Sequence, residues 1–92
     1  MLRIDISSTG PSELTFTELE KYDIPRPPGG FDSEINDSVI IKFEDEQEAI
    51  TYSQNLDEYA ESIDHNSTEY LIITDIINAI SNDEFVQAYI GS

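Results

Sequence analysis

Carboxylates are the main chemistry this chain has to offer. It carries 20 Asp and Glu against four Lys and Arg, with one histidine and no cysteine in 92 residues. Clustered carboxylates can serve as general acid and base, ligate a hard cation, or present negative charge to a partner. Their distribution is lopsided. The first 42 residues hold eight acids and all four bases, whereas residues 43–92 hold twelve acids and no Lys or Arg. The candidate partner-binding groups are therefore Glu44, Asp45, Glu46, Glu48, Asp57, Glu58, Glu61, Asp64, Glu69, Asp75, Asp83 and Glu84.

No pattern singles out a catalytic or metal site among them. His65 stands beside Asp64 and could be half of an acid–base pair, but there is no cysteine nucleophile and no serine marked by a motif. A capping or solvent-exposed histidine is the simpler reading. Carboxylate pairs are too common here for one to mark glycosidase chemistry, which also needs a cleft. Asp45-Glu46 and Asp83-Glu84 could hold Ca²⁺ or Mg²⁺ loosely, yet the EF-hand pattern and any zinc spacing are missing. Gly29-Gly30 lacks the rest of a phosphate-binding loop, and Asn66-Ser67-Thr68 matters as a sequon only in a secreted protein. The expectation is a protein that is not an enzyme, with no metal and no cofactor.

Charge narrows the partners. A formal net charge of −16 repels nucleic acid and anionic membranes and attracts basic proteins. Direct DNA or RNA binding needs a basic footprint, which is missing. The lack of cysteine removes disulfides and cysteine zinc sites and suits a reducing compartment. Residues 1–8 carry an arginine and an aspartate and no apolar h-region, so no signal peptide is expected. No apolar run approaches the roughly 20 residues of a membrane span. A single cytoplasmic domain over residues 1–92 is expected.

The elements that must position these groups follow from periodicity. Leu2, Ile4 and Ile6 alternate with polar residues, predicting a strand over 2–7. Residues 9–12 form a turn. Residues 13–23 are ambiguous, with Leu14 and Phe16 alternating like a strand, and Phe16, Leu19 and Tyr22 at helical spacing behind a Thr15/Glu18 capping box. A strand turning helical near Leu19 is favoured. Pro25, Pro27 and Pro28 stiffen residues 24–31 into a connector; they also fit PxxP, a very common accident. A polar loop over 32–38 precedes the β-branched run at 39–43, the clearest strand.

Residues 44–64 then form an amphipathic helix, with Ala49, Tyr52, Leu56, Tyr59 or Ala60, and Ile63 on one face. Asp45 caps it, and Glu48 closes a capping box. A second helix over 68–80, capped by Ser67 or by Asn66 with Glu69, carries Ile72, Ile73, Ile76, Ile77 and Ile80; a strand at 70–74 is its alternative. Ser81 and Glu84 open a last helix with Phe85, Val86, Tyr89 and Ile90 inward, ended by Gly91. The fold class is α+β: a small antiparallel sheet from the N-terminal half packed against two or three helices from the C-terminal half.

The far end of the first long helix breaks a rule. Asp57, Glu58, Glu61 and Asp64 crowd it, where the helix dipole favours cations. Asp57 with Glu61 and Glu61 with Asp64 are like-charge pairs at i, i+4 and i, i+3, which cost a few tenths of a kcal/mol each. Four carboxylates over about 10 Å of axis, at 1.5 Å per residue, give about one charge per 3 Å. One DNA strand carries one per ~3.4 Å. Acidity for solubility alone is the bland alternative.

Small size, high acidity, no cysteine and no catalytic motif resemble the DNA-mimic inhibitors made by phages and bacteria. The resemblance is one of composition and charge distribution. It implies a basic DNA- or RNA-binding target such as a restriction or CRISPR nuclease, a nucleoid protein or a repressor. Immunity proteins and antitoxins of the barstar or colicin-immunity type are the alternative. There Tyr52, Tyr59, Tyr70 and Tyr89 would be aromatic anchors within a charged rim. A third class is an acidic adaptor, with the Ile-rich stretch 71–80 pairing two copies into a homodimer.

Overall fold

The computed structural model describes residues 2–6, 16–33 and 39–91. Its elements are β1 (Leu2–Asp5), α1 (Phe16–Leu19), β2 (Phe31–Asp32), β3 (Ile40–Phe43), α2 (Glu46–Ala60), α3 (Thr68–Ser81) and α4 (Glu84–Gly91). The fold is α+β: a three-stranded antiparallel sheet in the order β1-β3-β2, followed by three C-terminal helices. The turn expected at 9–12, the Thr15/Glu18 capping box, the start of segment 13–23 and the loop at 34–38 lie outside the described residues.

The strands form where the apolar pattern requires them. In β1, Leu2 and Ile4 are buried while Arg3 and Asp5 face out. Leu2 stands opposite Phe43 and Ile4 opposite Ile41. The Ile6 N–H donates to the Val39 carbonyl at 2.9 Å, carrying the pairing one step past β1. The β-branched run becomes the central strand, with Ile40, Ile41 and Phe43 at 1% exposure or less.

Two N-terminal expectations need correction. Residues 16–19 form one helical turn and residues 20–23 no strand, so the strand favoured there does not form over the described part of 13–23. The second flank of β3 is taken instead by Phe31 and Asp32, where a connector and a polar loop are expected. A tight turn delivers them: the Gly30 N–H donates to the Pro27 carbonyl at 2.8 Å. Gly30 sits at φ +73°, where a side chain is strained. A Cβ on Gly29 would lie 3.0 Å from the Lys42 carbonyl oxygen, so glycine lets the turn close on β3. Pro27 is buried, and the Pro25 carbonyl accepts a 2.7 Å bond from the Tyr52 hydroxyl. The PxxP segment is thus clamped to α2 as a connector.

The C-terminal helices form the other layer. Ala49, Tyr52, Leu56 and Ala60 make the buried stripe of α2. The helix stops at Ala60, four residues before the expected end at 64. Asp45 caps it by accepting from the Glu48 N–H at 2.9 Å. Glu48 reaches back to the Glu44 N–H at 3.2 Å, one residue earlier than a standard capping box requires. Ser67 caps α3 through the Tyr70 N–H. That helix is continuous, so the alternative strand at 70–74 is absent. Its isoleucines 72, 73, 76 and 80 are at most 1% exposed and join the strands and α2 in one core. Of the stretch 71–80, Leu71 stays 45% exposed, and Ile77 and Ala79 are partly buried against the core.

Helix α4 departs most from expectation. Its cap is Asp83, which accepts from the N–H groups of Phe85 and Val86, rather than Ser81. Val86 alone of the four expected core residues is buried. Phe85, Tyr89 and Ile90 face outward, because this two-turn helix rests on the core along a narrow stripe.

Candidate functional site

Two acidic poles stand at the ends of α2. At its C-terminal end Asp57, Glu58 and Glu61 are exposed. Behind them Leu56 is 0% and Ala60 4% exposed, so the turn that carries the charges is anchored in the core. Asp57 and Glu61 are one turn apart, and the last turn holds no basic residue. The ion pairs Arg26–Glu20 and Lys42–Asp32, both at 3.2 Å, involve none of the three.

Asp64 lies past the helix end and has local work. Its carboxylate accepts from the Asn66 N–H at 2.9 Å, and its carbonyl accepts from the Ser67 hydroxyl. This Asx turn steers the chain from α2 into α3. His65 stacks on Tyr70, with ring centroids 4.5 Å apart. That contact gives the histidine a packing role.

The second pole gathers groups from distant parts of the chain. Glu44, Asp45 and Glu46 at the start of α2 share an open cleft of about 500 Å³ with Leu2, Arg3 and Phe85. A neighbouring cleft of about 520 Å³ adds Asp5, Asp75, Asp83 and Glu84. Arg3 and Phe85 line both. Asp45, Glu48 and Asp83 already serve helix caps, which is an ordinary reason for an acid at those positions.

The expected array is therefore not one continuous strip. Residues 49–56 hold no acid, and Glu46 and Glu61 are roughly 20 Å apart along the axis at 1.5 Å per residue. Asp75 needs correction: it is 5% exposed, which withdraws it from any outward-facing set. Glu69 is half-buried and accepts from the Tyr59 hydroxyl at 3.4 Å. Of the expected set, Glu44 and Glu84 are exposed and Glu46 half-buried at one pole, and Asp57, Glu58 and Glu61 are exposed at the other.

The tyrosines sort by burial. Tyr52 is 4% exposed and bonded to the Pro25 carbonyl, so it belongs to the core rather than to an anchor set. Burial pushes its hydroxyl well above the usual range, against a small opposing pull from Arg26. Tyr59 is also raised, by desolvation first and then by Glu69 and Asp23. Tyr59 and Tyr70 are half-buried, and Tyr89 is exposed. Phe85 is the more exposed of the two aromatics on α4, at 62% against 45% for Tyr89. Sequence reasoning missed it because its helical spacing matched that of a core residue. The short length of α4 was the available warning.

Among the described residues, no group of three or more His, Cys, Asp or Glu could hold a metal ion. None of the described helices is long and apolar enough to cross a membrane. No family of known proteins, no curated protein and no solved structure matches this chain.

Proposed function

We propose that this chain is an acidic inhibitor that blocks a basic nucleic-acid-binding protein or nuclease in the cytoplasm, presenting carboxylates where nucleic acid presents phosphates. The observation that carries the reading is the C-terminal pole of α2. Asp57, Glu58 and Glu61 are exposed on a turn pinned from behind by Leu56 and Ala60. They stand at the helix end where negative charge is least favoured, with no base in that turn. A charge array kept against its local electrostatics suits a surface with a partner. A basic groove would meet it with Lys and Arg, release its own counter-ions and associate quickly through long-range steering.

The immunity-protein reading shares the basic partner but docks an aromatic into a cleft. The exposed Phe85 and Tyr89 beside the N-terminal pole favour it as the second reading.

Capture from a host lysate at low salt, eluted by a salt gradient, tests the proposal. A basic nucleic-acid-binding protein should elute at moderate salt, since exposed pairs are screened. The variant with Asp57→Lys, Glu58→Lys and Glu61→Lys should fold and fail to retain it. Equal retention by both proteins removes the mimicry account.

A further inference from the structure

Helix α4 turns three large apolar side chains to solvent: Phe85 is 62% exposed, Tyr89 45% and Ile90 64%. Phe85 and Tyr89 are one turn apart and share a face, whereas Ile90 lies on the other side of the buried Val86. The patch is held firmly. Val86 is buried beneath it, Asp83 caps its first turn, and the Tyr89 hydroxyl donates to the Gln47 side-chain oxygen of α2 at 3.0 Å.

Its surroundings decide what can cover it. Phe85 and Arg3 form the wall shared by the two clefts, one reaching Asp5 and Glu84, the other Glu44 and Glu46. An aromatic ridge with carboxylates on both sides disfavours three occupants. Nucleic acid and an anionic membrane are repelled. A second copy would bring together two chains of formal charge −16 each, with like-charged rims facing one another. A cationic surface with an apolar projection is complementary in both respects.

We propose that this face docks a basic protein segment carrying an apolar side chain. The apolar group packs on Phe85 and Tyr89, while Lys or Arg on either side reach Glu44, Glu46 and Glu84. An Arg guanidinium laid over the Phe85 ring would add a cation–π contact. The inference is independent of polyanion mimicry, which uses the opposite end of α2. A charge track alone has no use for an exposed phenylalanine.

Two synthetic peptides of equal positive charge test it. One intersperses Leu and Trp among lysines; the other has Ser and Gln at those places. Their affinities are measured at low salt for the wild type, Phe85→Ala and the double variant Asp57→Asn/Glu61→Gln. The wild type should prefer the apolar-bearing peptide by about tenfold, the order expected for burying one large side chain. Phe85→Ala should lose that preference yet bind the polar peptide as before, and the double variant should keep the preference. Equal wild-type affinities for the two peptides overturn the proposal, as does a preference that survives Phe85→Ala. A preference lost only in the double variant places the peptide on the other pole, overturning this inference and leaving the mimicry reading standing. Self-association in sedimentation that Phe85→Ala abolishes assigns the patch to a second copy and also overturns it.

Discussion

Neutralising the C-terminal pole of α2 should make the protein more stable. The variant is Asp57→Asn with Glu61→Gln, which preserves side-chain shape and nearly preserves helix propensity. Asp57 and Glu61 are exposed, one turn apart, and lie in or next to a last turn without a base. Removing their mutual repulsion should return about 0.2–0.5 kcal/mol. Relieving two unfavourable contacts with the helix dipole should add about 0.3–1 kcal/mol each at low ionic strength. Solvent exposure argues for the lower half of those ranges, which leaves a gain of about 1 kcal/mol. For a domain of this size that is a rise in Tm of about 4–8 °C.

Thermal and urea unfolding at low salt should read this gain directly. At about 1 M salt the screening length falls to roughly 3 Å, and most of the gain should vanish. A midpoint at or below that of the wild type at low salt would refute the reasoning, because these acids would then not be held against their local electrostatics. A salt-independent gain would refute it too, by pointing to packing rather than charge.

Other outcomes follow from single contacts. Tyr52→Phe removes the bond to the Pro25 carbonyl and should cost about 1–2 kcal/mol in urea unfolding, part of it from the carbonyl left unpaired. Because burial raises the folded-state pKa of Tyr52, its contribution is fully present below the unfolded value of about 10. That contribution is lost as pH climbs from there toward the folded value. Tyr52→Phe should therefore show a shallower alkaline decline than the wild type, measured by unfolding between about pH 9 and 12. Asp83→Ala removes the acceptor for the Phe85 and Val86 N–H groups and should cost about 0.5–2 kcal/mol. Amide hydrogen exchange should then rise first in α4, and an unchanged exchange pattern would show that Val86 packing alone holds that helix.

Long, strongly periodic segments were legible in the sequence. The stripe Ala49, Tyr52, Leu56 and Ala60 has helical spacing and becomes the buried face of α2. The alternation of Leu2 and Ile4 puts both side chains inward in β1. The caps Asp45 and Ser67 were legible for the same reason, since each sits just before its periodic run.

Short elements were not, because their state is set by partners elsewhere in the chain. Phe31 and Asp32 are a strand by virtue of the open flank of β3 and the Pro27–Gly30 turn that delivers them. The turn is local, but the flank it delivers them to lies on a strand about ten residues further along the chain. Asp75 has the composition of the outer array and is buried, since charge type alone does not report which helix face a residue occupies. Phe85 shows the converse. Its spacing from Val86 and Tyr89 fits a core stripe, but an eight-residue helix buries little, and the ring is left at the surface.

The central claim is that exposed carboxylates on rigid turns take the place of a phosphate track. The most direct measurement is competition: the partner captured at low salt is titrated with duplex DNA while bound to this protein. The account predicts that DNA displaces the protein, and that charge reversal at Asp57, Glu58 and Glu61 weakens it as a competitor. A ternary complex, in which the partner holds DNA and this protein together, would contradict it.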